Sequence, residues 1–397
     1  MSVIFFDDDF RSSFLPLTFT RPVAELRVGI LTIREKWNHY FFGQVNGWLT
    51  ENYLAAKFPI NASDENLLIN GSVLPSEHLV AEINALPVNS RLLNAGVTVA
   101  FKLSGEMMEG IKSFDQINPE KTLSSTALIQ KITYPWDIFS MNDLAIKADF
   151  ELLTAGRKSQ PLSTTNKVIG DWPVFLEDGA KAEFSFINTT NGPVYIGKSA
   201  EVMEGCMIRG PFSLGDHAQL KMGAKIYGPT TIGPYCKVGG EVNNSVLFGF
   251  SNKAHDGFLG NSVIGEWCNI GADSNNSNLK NNYSTVKMWS YKEEGFIPTG
   301  LQFCGLVMGD HSKCSINTMF NTGTVVGVSA NVFGTGFPPK FIPSFSWGGS
   351  EGFTTFRVEE AIGVAQRVFE RRNLQFDQTE QQVFKHLFDH TTKYRSW

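Results

Sequence analysis

The chain has 397 residues, a formal net charge of −5 and 18% charged residues, enough for two or three domains without a basic field. Small molecules are therefore favoured as partners over nucleic acid or an anionic membrane surface. The opening "MSVIFFDDDFRSS" lacks the basic start and the apolar core of a signal peptide. No apolar run approaches the ~20 residues of a membrane span. We predict a cytoplasmic protein with no membrane-spanning segment.

The five cysteines are odd in number and contain no CxxC pair. This pattern argues against a disulfide framework and against a zinc site, so no structural metal site is predicted. We interpret the cysteines as small buried hydrophobic residues. They are Cys206, Cys236, Cys268, Cys304 and Cys314.

The N-terminal segment "VIFFDDDFRSSFLPLTFTRPVAELRVG" begins as a strand and continues into Pro16-Leu17-Thr18 and Arg21-Pro22. It resembles the opening of the sugar nucleotidyltransferases, in which a strand leads to a G-x-G-T-R loop and then to P-L-T-x-x-x-P-K. The P-L-T-x-x-x-P spacing is kept, whereas the glycines are absent and Val23 stands at the lysine position. The resemblance implies a divergent domain for a nucleoside triphosphate and a sugar 1-phosphate.

The missing residues are those that bind phosphates. Glycines let backbone amides close on phosphates, and a lysine adds a cation where negative charge develops. Arg11, Arg21 and the acidic run Asp7 to Asp9 are the local replacements, and we predict that both arginines bind substrate. "NLLINGSVLPSE" resembles the strand and G-D of the same family, with Ser72 where a metal-binding aspartate would stand. The resemblance implies Mg²⁺ as an aid to nucleotidyl transfer.

Four regions are predicted in chain order. Alternating strand and helix patterns predict an α/β domain over residues 1–135, and the resemblance implies that it is Rossmann-like and nucleotidyltransferase-like. "YPWDIFSMNDLAIKADFELLTAGRKS" predicts a helix from Trp136 to about Gly156, within a linker region of residues 136–170. A β-helix domain is predicted over residues 171–345. Two amphipathic helices in a C-terminal segment, residues 346–397, are predicted to cap its open end.

Between Tyr195 and Val242, aliphatic residues recur every six positions without a break. Neither a helix nor an alternating strand has this spacing, and a glycine follows every eighteen residues. Three short strands per turn would form a triangular coil with one inward side chain per side, and such coils must stack. The residues in phase are Ile196, Val202, Ile208, Leu214, Leu220, Ile226, Ile232 and Val238, and the glycines are Gly197, Gly215 and Gly233.

The six-residue period resumes at Phe258, Ile264 and Ile270, and again from Met308 to Val332. The segment Asn243 to Gly257 and the polar run "NNSNLKNNYSTVKMW" are predicted to be irregular loops between these blocks. The pattern resembles the left-handed parallel β-helix of the hexapeptide acyltransferases, and the resemblance implies a homotrimer. Loops on a rigid scaffold commonly carry functional sites.

The stretch "KAHDGFLGNSVIGEWCNIGADSNNSNL" contains His255. It resembles the acetyltransferase half of the bifunctional N-acetylglucosamine-1-phosphate uridyltransferase, which carries K-A-G-H-x-x-Y-L-G-D, then I-G-x-x-x-N-I-G-A-G and C-N-Y. The resemblance puts His255 at the catalytic histidine, and Asn269 and Asn278 at two substrate-contacting asparagines. Ala272 takes the position whose backbone faces the thioester, and acetyl-CoA is the implied co-substrate.

The chemistry of acetyl transfer calls for a histidine. A sugar amine is mostly protonated at neutral pH and must lose a proton before it attacks a thioester. An imidazole, whose ordinary pKa is near ~6.5, is suited to take that proton. We predict that His255 is the general base and that Asn278 holds the amine or the imidazole. Further predicted contacts are Glu241, Asn243, Phe258 and Asn269 to the sugar phosphate, and Ala272 and Leu279 to acyl-CoA.

The stretch departs from that family at hydroxyl and cationic positions. Phe258 and Leu279 replace tyrosines, and Asn243 and Asn244 stand where a phosphate-binding lysine pair is found. These losses weaken the case for a sugar 1-phosphate acceptor. Lysines that could supply the charge are Lys253, Lys280 and Lys287.

The sequence therefore predicts a transferase of nucleotide-sugar biosynthesis. Its β-helix would N-acetylate an amino sugar 1-phosphate with acetyl-CoA, and its N-terminal domain would resemble a sugar 1-phosphate nucleotidyltransferase. One alternative is a nucleotidyltransferase whose β-helix serves only to form the trimer. Another is a non-catalytic sugar-phosphate-binding scaffold in which His255 is merely a polar loop residue.

Overall fold

The computed structural model describes residues 1–41 and 45–397. Over these residues the chain forms two compact units. The first comprises Met1–Phe14, Thr20–Arg27 and Leu31–Tyr134, and the second comprises Leu15–Phe19, Val28–Ile30 and Pro135–Trp397. None of the described helices has the length and apolar character needed to cross a membrane.

The first unit is built on a mixed sheet whose strand Ser2–Phe6 is buried along its whole length. Parallel strands lie on both sides of it, and Val97–Ser104 adds an antiparallel partner to Glu65–Asn70. A strand covered on both faces is expected to be continuously apolar, as "SVIFF" nearly is. The spatial order is Val45–Leu49, Ser2–Phe6, Glu65–Asn70, Val97–Ser104, Ser90–Asn94 and Lys121–Ser124.

The helices described in the first unit are short. Ser76 caps the helix Glu77–Asn84 by accepting a hydrogen bond from the N–H of Leu79, which would otherwise be unpaired. Together with the sheet they confirm the predicted α/β class. The helices are Ile33–Phe41, Glu77–Asn84 and Gly105–Met108, with 3₁₀ turns at Arg11–Phe14, Val23–Glu25, Asn52–Leu54 and Phe114–Gln116 and a small antiparallel pair, Val73–Leu74 with Gln130–Lys131.

The second unit is a parallel β-helix. In residues 135–397, which the structure describes throughout, short strands build three faces. The strands of a face pair in parallel from coil to coil, and the second face ends in an antiparallel pair, Ser346–Gly349 with Gly352–Thr355. The aliphatic residues spaced six apart, from Ile196 to Val238, are all buried in one continuous core. Each stacks on its equivalent one coil away, so the core extends along the axis. The predicted hexapeptide-repeat β-helix is confirmed.

The strands of the three faces are short and follow the chain in regular rotation. The first face contains Val174–Leu176, Val194–Ile196, Phe212–Leu214, Thr230–Ile232, Val246–Leu247, Val263–Ile264, Leu306–Met308, Thr324–Val326 and Phe341–Ile342. The second contains Lys181–Ala182, Glu201–Val202, Gln219–Leu220, Lys237–Val238, Asn252–Lys253, Asn269–Ile270, Lys313–Cys314, Asn331–Val332, Ser346–Gly349 and Gly352–Thr355. The third contains Lys167–Ile169, Phe186–Asn188, Met207–Arg209, Lys225–Tyr227, Glu241–Asn243 and Phe258–Gly260, followed by the pair Asn275–Asn276 and Met319–Phe320.

The segment Asn243 to Gly257, expected to be an irregular loop, is a regular coil. Val242, Leu247 and Lys253 point inward, but they are five and six positions apart, so the strict six-residue period does not reveal them. The resumed period also begins one residue later than predicted. Leu259 is the core residue, and Phe258 lies on the outer surface of the third face because alternate strand residues point to opposite sides.

The second segment expected to be irregular contains an antiparallel hairpin, Lys287–Ser290 paired with Gly295–Pro298. It is inserted between the coil that ends at Asn276 and the coil that begins at Leu306. The helix expected from Trp136 to Gly156 is two helices, Pro135–Ser140 and Asn142–Thr154.

Aromatic side chains stack along the corner between the first and second faces. Ring centroids are 4.9 Å apart for Tyr235 and Phe250, and 4.2 Å apart for Phe250 and Trp267. Phe369, from the helix Val358–Glu370, stacks on Trp267 at 4.1 Å. The C-terminal helices, Val358–Glu370 and Gln378–His390, thus pack against the side of the solenoid. The sequence had predicted that they cap its open end.

Candidate active site

The corner between the second and third faces carries His255. We call residues 254–257, which join Asn252–Lys253 to Phe258–Gly260, the His255 corner. Asn252 pairs with Asn269 of the next coil, so the residues three positions further on, His255 and Ala272, occupy equivalent positions. The N–H of Asp273 donates to the carbonyl of Asp256 at 3.0 Å, which ties the two corners together. The fold therefore stacks the predicted base on the predicted thioester-facing position.

The His255 side chain is exposed, so it is accessible to a ligand on the outside of the coil. The backbone of the His255 corner is held by two contacts, a close approach at Gly257 and a hydrogen bond from Lys253. Gly257 has a φ of +110°, and a Cβ built there would collide with the carbonyl of Ser274 in the next coil. Only glycine allows the backbone at residue 257 to come this close to the carbonyl of Ser274. The carbonyl of His255 accepts a hydrogen bond of 3.0 Å from Nζ of Lys253.

A cluster of the predicted substrate-binding residues lies on the third face, beside this corner. Glu241 pairs in register with Phe258, and Asn243 pairs with Gly260. The hydroxyl of Tyr227 donates to Oε1 of Glu241. Burial, and then this hydrogen bond, raises the pKa of the Tyr227 phenol, so it stays a neutral donor.

The predicted catalytic Asn278 lies at the end of the same cluster. Its Nδ2 donates to Oδ1 of Asn261 at 2.8 Å, and its carbonyl accepts from the N–H of Cys304. Leu279 follows and bridges to Phe303. Three predicted residues of the third face, Glu241, Asn243 and Phe258, therefore lie together beside the corner, and Asn278 and Leu279 follow the next strand of that face, Asn275–Asn276.

Asn269 is separated from that cluster. It lies on the second face, paired with Lys313, and its side chain is exposed there. Asn269 is near the site only in the sense that it precedes Ala272, which lies at the corner, by three residues. Sequence reasoning missed Asn275, whose Oδ1 accepts the N–H of Phe258 at 2.8 Å. The asparagine-rich text "ADSNNSN" was the signal for it.

An open groove of about 620 Å³ extends along the third face from Glu241. Its floor is apolar, with Ile169, Phe186 and Met207 exposed by 66%, 61% and 51% of their surfaces. Its other residues include cations: Lys167, Arg209 and Lys225. Exposed apolar residues in contiguous rows are unusual on a protein surface and indicate a binding face. The outward positions of "KVI", "FIN" and "MIR" were the sequence signal.

The first unit has its own candidate site, a polar cleft of about 520 Å³. Asp7 and Thr50 follow directly after the parallel strands Ser2–Phe6 and Val45–Leu49. The next parallel strand lies on the opposite side of Ser2–Phe6, so the strand order reverses at this point. Ligands of open α/β sheets bind outside the carboxyl ends of strands at such a point.

Arg11, which was predicted to bind substrate, lines this cleft, and its guanidinium already has partners within the chain. Its guanidinium contacts Asp7 at 3.0 Å and Glu51 at 3.6 Å, and it donates to the hydroxyl of Tyr53 at 3.2 Å. Burial raises the pKa of Asp7, and Arg11 opposes that effect. Lys112 adds a second cation to the lining. Arg21 is buried and is not among the described residues that line the cleft.

The carboxylates of the cleft do not fit a resident metal ion. Asp8 accepts from Asn70 at 2.9 Å and faces Nζ of Lys131 at 3.3 Å. Ser72, at the position of the family's aspartate, is buried and donates to Oδ1 of Asn70. Among residues 1–41 and 45–397, no group of three acidic, histidine or cysteine side chains is arranged to hold a metal. Any Mg²⁺ would enter as part of a nucleotide complex.

Comparison with known protein families gives a match over the N-terminal part of the chain. Residues 3–158 match the family described as sugar nucleotidyl transferase, so the match extends beyond Tyr134 into the helices Pro135–Ser140 and Asn142–Thr154. The N-terminal part is thus similar to a sugar nucleotidyl transferase, and a hexapeptide-repeat solenoid follows it in the chain. The match does not single out the N-acetylglucosamine-1-phosphate uridyltransferase family. A search of curated protein sequences gave no match.

Solved structures with a similar fold are distant. The polySia specific acetyltransferase NeuO is 14% identical, covers 53% of this chain and 99% of its own, and has a TM-score of 0.32. LpxA, a UDP-N-acetylglucosamine acyltransferase from Bacteroides fragilis, is 11% identical, with 57% and 96% coverage and a TM-score of 0.26. The Arabidopsis UDP-N-acetylglucosamine acyltransferase is 14% identical, with 60% and 97% coverage and a TM-score of 0.22.

Proposed function

We propose that the second unit transfers an acetyl group from acetyl-CoA to the amine of an amino sugar phosphate. The observation that supports this most is the stacking of His255 on Ala272 at an exposed corner. Within the described chain, nothing accepts a hydrogen bond from the N–H of Ala272. A base and a free backbone donor one coil apart are what acyl transfer to an amine needs.

In the proposed reaction, His255 removes a proton from the sugar ammonium, and the free amine attacks the thioester carbon. The developing oxyanion accepts from the N–H of Ala272. The C–S bond then breaks, the attacking nitrogen loses its remaining extra proton to solvent, and the thiolate takes the proton from the imidazolium of His255. An amide, free CoA and one proton released to solvent are the products.

The sugar would lie on the third face, next to the corner. Glu241 and Asn243 offer a carboxylate and an amide to sugar hydroxyls, and Phe258 offers a flat apolar surface. Asn278 would hold the amine. The cations along the third-face groove, Lys167, Arg209 and Lys225, suit the phosphates of acetyl-CoA.

For the first unit we propose a sugar 1-phosphate nucleotidyl transfer of altered design. The polar cleft at the strand-order reversal and the family match over residues 3–158 support it. Arg11 and Lys112 would contact the phosphates. The cleft also contains Asp7, Asp8, Asp9 and Glu51, so a nucleotide would bind with its own cation.

A thiol-release assay with acetyl-CoA across a panel of amino sugars and their 1-phosphates tests the proposal. We expect release of CoA with at least one acceptor. A second assay, for pyrophosphate from a nucleoside triphosphate and sugar 1-phosphates, separates the two units. Pyrophosphate without thiol release would favour a nucleotidyltransferase with a structural β-helix. Binding without either product would favour a scaffold.

A further inference from the structure

Lys253 is buried in the core of the β-helix, with 1% of its surface exposed. It occupies the inward position of the second face, paired with Val238 of the preceding coil. The surrounding core is almost entirely aliphatic. Burying an ammonium group is costly unless its protons are hydrogen-bonded, so this lysine requires a reason.

The two partners of Lys253 are main-chain carbonyls. Its Nζ donates to the carbonyl of Gly239 at 2.9 Å and to that of His255 at 3.0 Å. These carbonyls belong to successive corners, one coil apart. The side chain therefore links the His255 corner to the corner above it from inside the solenoid.

The need for this link arises from a change in corner length. Four positions separate the inward residues Val238 and Val242, whereas six separate Lys253 from Leu259. Two corners of unequal length cannot continue the same ladder of backbone hydrogen bonds. In the described chain no backbone N–H donates to the carbonyl of Gly239 or of His255. The ammonium group of Lys253 supplies both donors.

Two glycines of the preceding corner, Gly239 and Gly240, allow the two corners to approach this closely. A Cβ built on Gly239 would lie 2.6 Å from the carbonyl oxygen of Ala254, and one on Gly240 would lie 2.9 Å from that of His255. Any larger residue would push the two corners apart. The carbonyl of His255 is thereby held close enough for Lys253 to reach.

We propose that Lys253 is a positioning residue, which fixes the backbone of His255 so that its imidazole projects over the Ala272 position of the next coil. This inference rests on the proposed acetyl transfer for its catalytic consequence. Its structural part, the fixing of the corner, is independent of any activity. Lys253 does not touch the reacting atoms and acts only through His255.

Lys253→Met tests the proposal, because methionine fills a similar volume and donates no hydrogen bond. The control is Val202→Ala, a core change in the same face three coils earlier. Amide hydrogen exchange followed by mass spectrometry reports on peptides that cover residues 254–258. Should the methionine variant not fold, Lys253→Gln, which is too short to bind both carbonyls, replaces it.

We expect exchange of the His255 corner to rise at least about 10-fold in Lys253→Met and to stay unchanged in Val202→Ala. In the acetyl-transfer assay kcat should fall roughly 10- to 100-fold, while KM for acetyl-CoA changes less than about 2-fold. Wild-type exchange at the corner of Lys253→Met would overturn the proposal, whatever the activity. So would an equal loss of kcat in Val202→Ala. If the wild-type protein acetylates no amino sugar, the proposed function fails, and the exchange measurement still decides whether Lys253 fixes the corner.

Discussion

The ring of Phe258 and the side-chain amide of Asn278 meet over Gly260. A Cβ built on Gly260 would lie 2.5 Å from Cζ of Phe258 and 2.7 Å from Nδ2 of Asn278. Gly260→Ala should therefore displace both side chains. We expect kcat/KM for the amino sugar to fall roughly 10- to 100-fold, because misplacing a positioned group by about 1 Å has this effect. Steady-state kinetics with the accepted sugar would measure it.

Gly363→Ala is the control for this substitution. Gly363 lies in the helix Val358–Glu370, and its added Cβ would come no nearer than 3.5 Å to Nη1 of Arg367. Alanine in a helix interior should stabilise the protein by about 0.5–1 kcal/mol and leave the kinetics unchanged. Parental kinetics in Gly260→Ala would mean that the third face does not bind the acceptor.

His255→Ala should lower the rate of acetyl transfer by roughly 10²- to 10⁴-fold, the usual contribution of a positioned base. Affinity for acetyl-CoA should stay nearly unchanged, because the imidazole acts on the amine. The coil should remain folded, since the side chain is exposed. Thiol release and calorimetric titration with CoA provide the two readouts.

His78→Ala is the matched control, because His78 is also exposed and lies in the first unit. A His255→Ala variant that acetylates at the parental rate would rule out His255 as the base.

The stability of the β-helix should depend on pH through Lys253. Burial lowers the pKa of this ammonium from its usual value to about 8, although Asp256, Asp273, Cys314 and Glu241 act in the opposite direction. Below pH 8 the folded and unfolded chains both hold the proton. Between pH 8 and 10.5 only the unfolded chain holds it, so folding is increasingly favoured as pH rises.

The difference in unfolding free energy between wild type and Lys253→Met should therefore shift in favour of wild type from pH 7.5 to 10.5. At about 1.4 kcal/mol per pKa unit, the change is at most roughly 3 kcal/mol. Urea unfolding at several pH values measures it. Burial also lowers the pKa of Lys313 to about 8, but this residue is present in both proteins and cancels in the difference. Parallel pH profiles would contradict the assignment.

We expect a trimer, with a mass in light scattering near 132 kDa, three times the 44.0 kDa of the chain. The apolar floor of the third-face groove is the candidate contact. Met207→Asp should shift the mass toward the monomer, because a carboxylate would be buried without a partner. Leu128→Asp, at a residue with 90% of its surface exposed in the first unit, is the control. A wild-type mass near 44 kDa would refute the trimer.

Nucleotide binding to the first unit should be weak and dependent on Mg²⁺, because the glycine loop and lysine are missing and the cleft is acidic. Arg11→Met should weaken it roughly 10-fold further by removing a charge-assisted contact. Arg91→Met, which loses only a hydrogen bond to Thr122, is the control. Isothermal titration calorimetry with and without Mg²⁺ measures both effects. Tight binding without metal would contradict this prediction.

The β-helix was predictable because each coil places one side chain inward per side, and the spacing from Ile196 to Val238 records that geometry directly. The coil containing Lys253 was not, because Gly239 and Gly240 shorten one corner and shift the phase. An inward lysine also gives no apolar signal. The role of Lys253 depends on the carbonyls of Gly239 and His255. Only the folded structure shows that no backbone N–H of the described chain donates to them.

The residues of the candidate sites were also predictable only in part. The family resemblance identified His255 and Ala272, but their stacking was not predictable, because Asn243 to Gly257 was expected to be an irregular loop. The contact of Asn261 with Asn278 was not predictable either, because it joins different coils. In the polar cleft Arg11 follows the first strand closely, whereas Lys112 is about 100 positions further along the chain and reaches the cleft only through the folded topology.

The outward placement of the His255 corner has a consequence for how the rate depends on protein concentration. The core of the solenoid is filled with side chains, so a substrate can only bind outside, on a convex edge. A convex edge contacts a ligand from one side, and a neighbouring copy of the chain could enclose the other. Turnover per chain should then decline on dilution once copies separate, and recover when the protein is concentrated again.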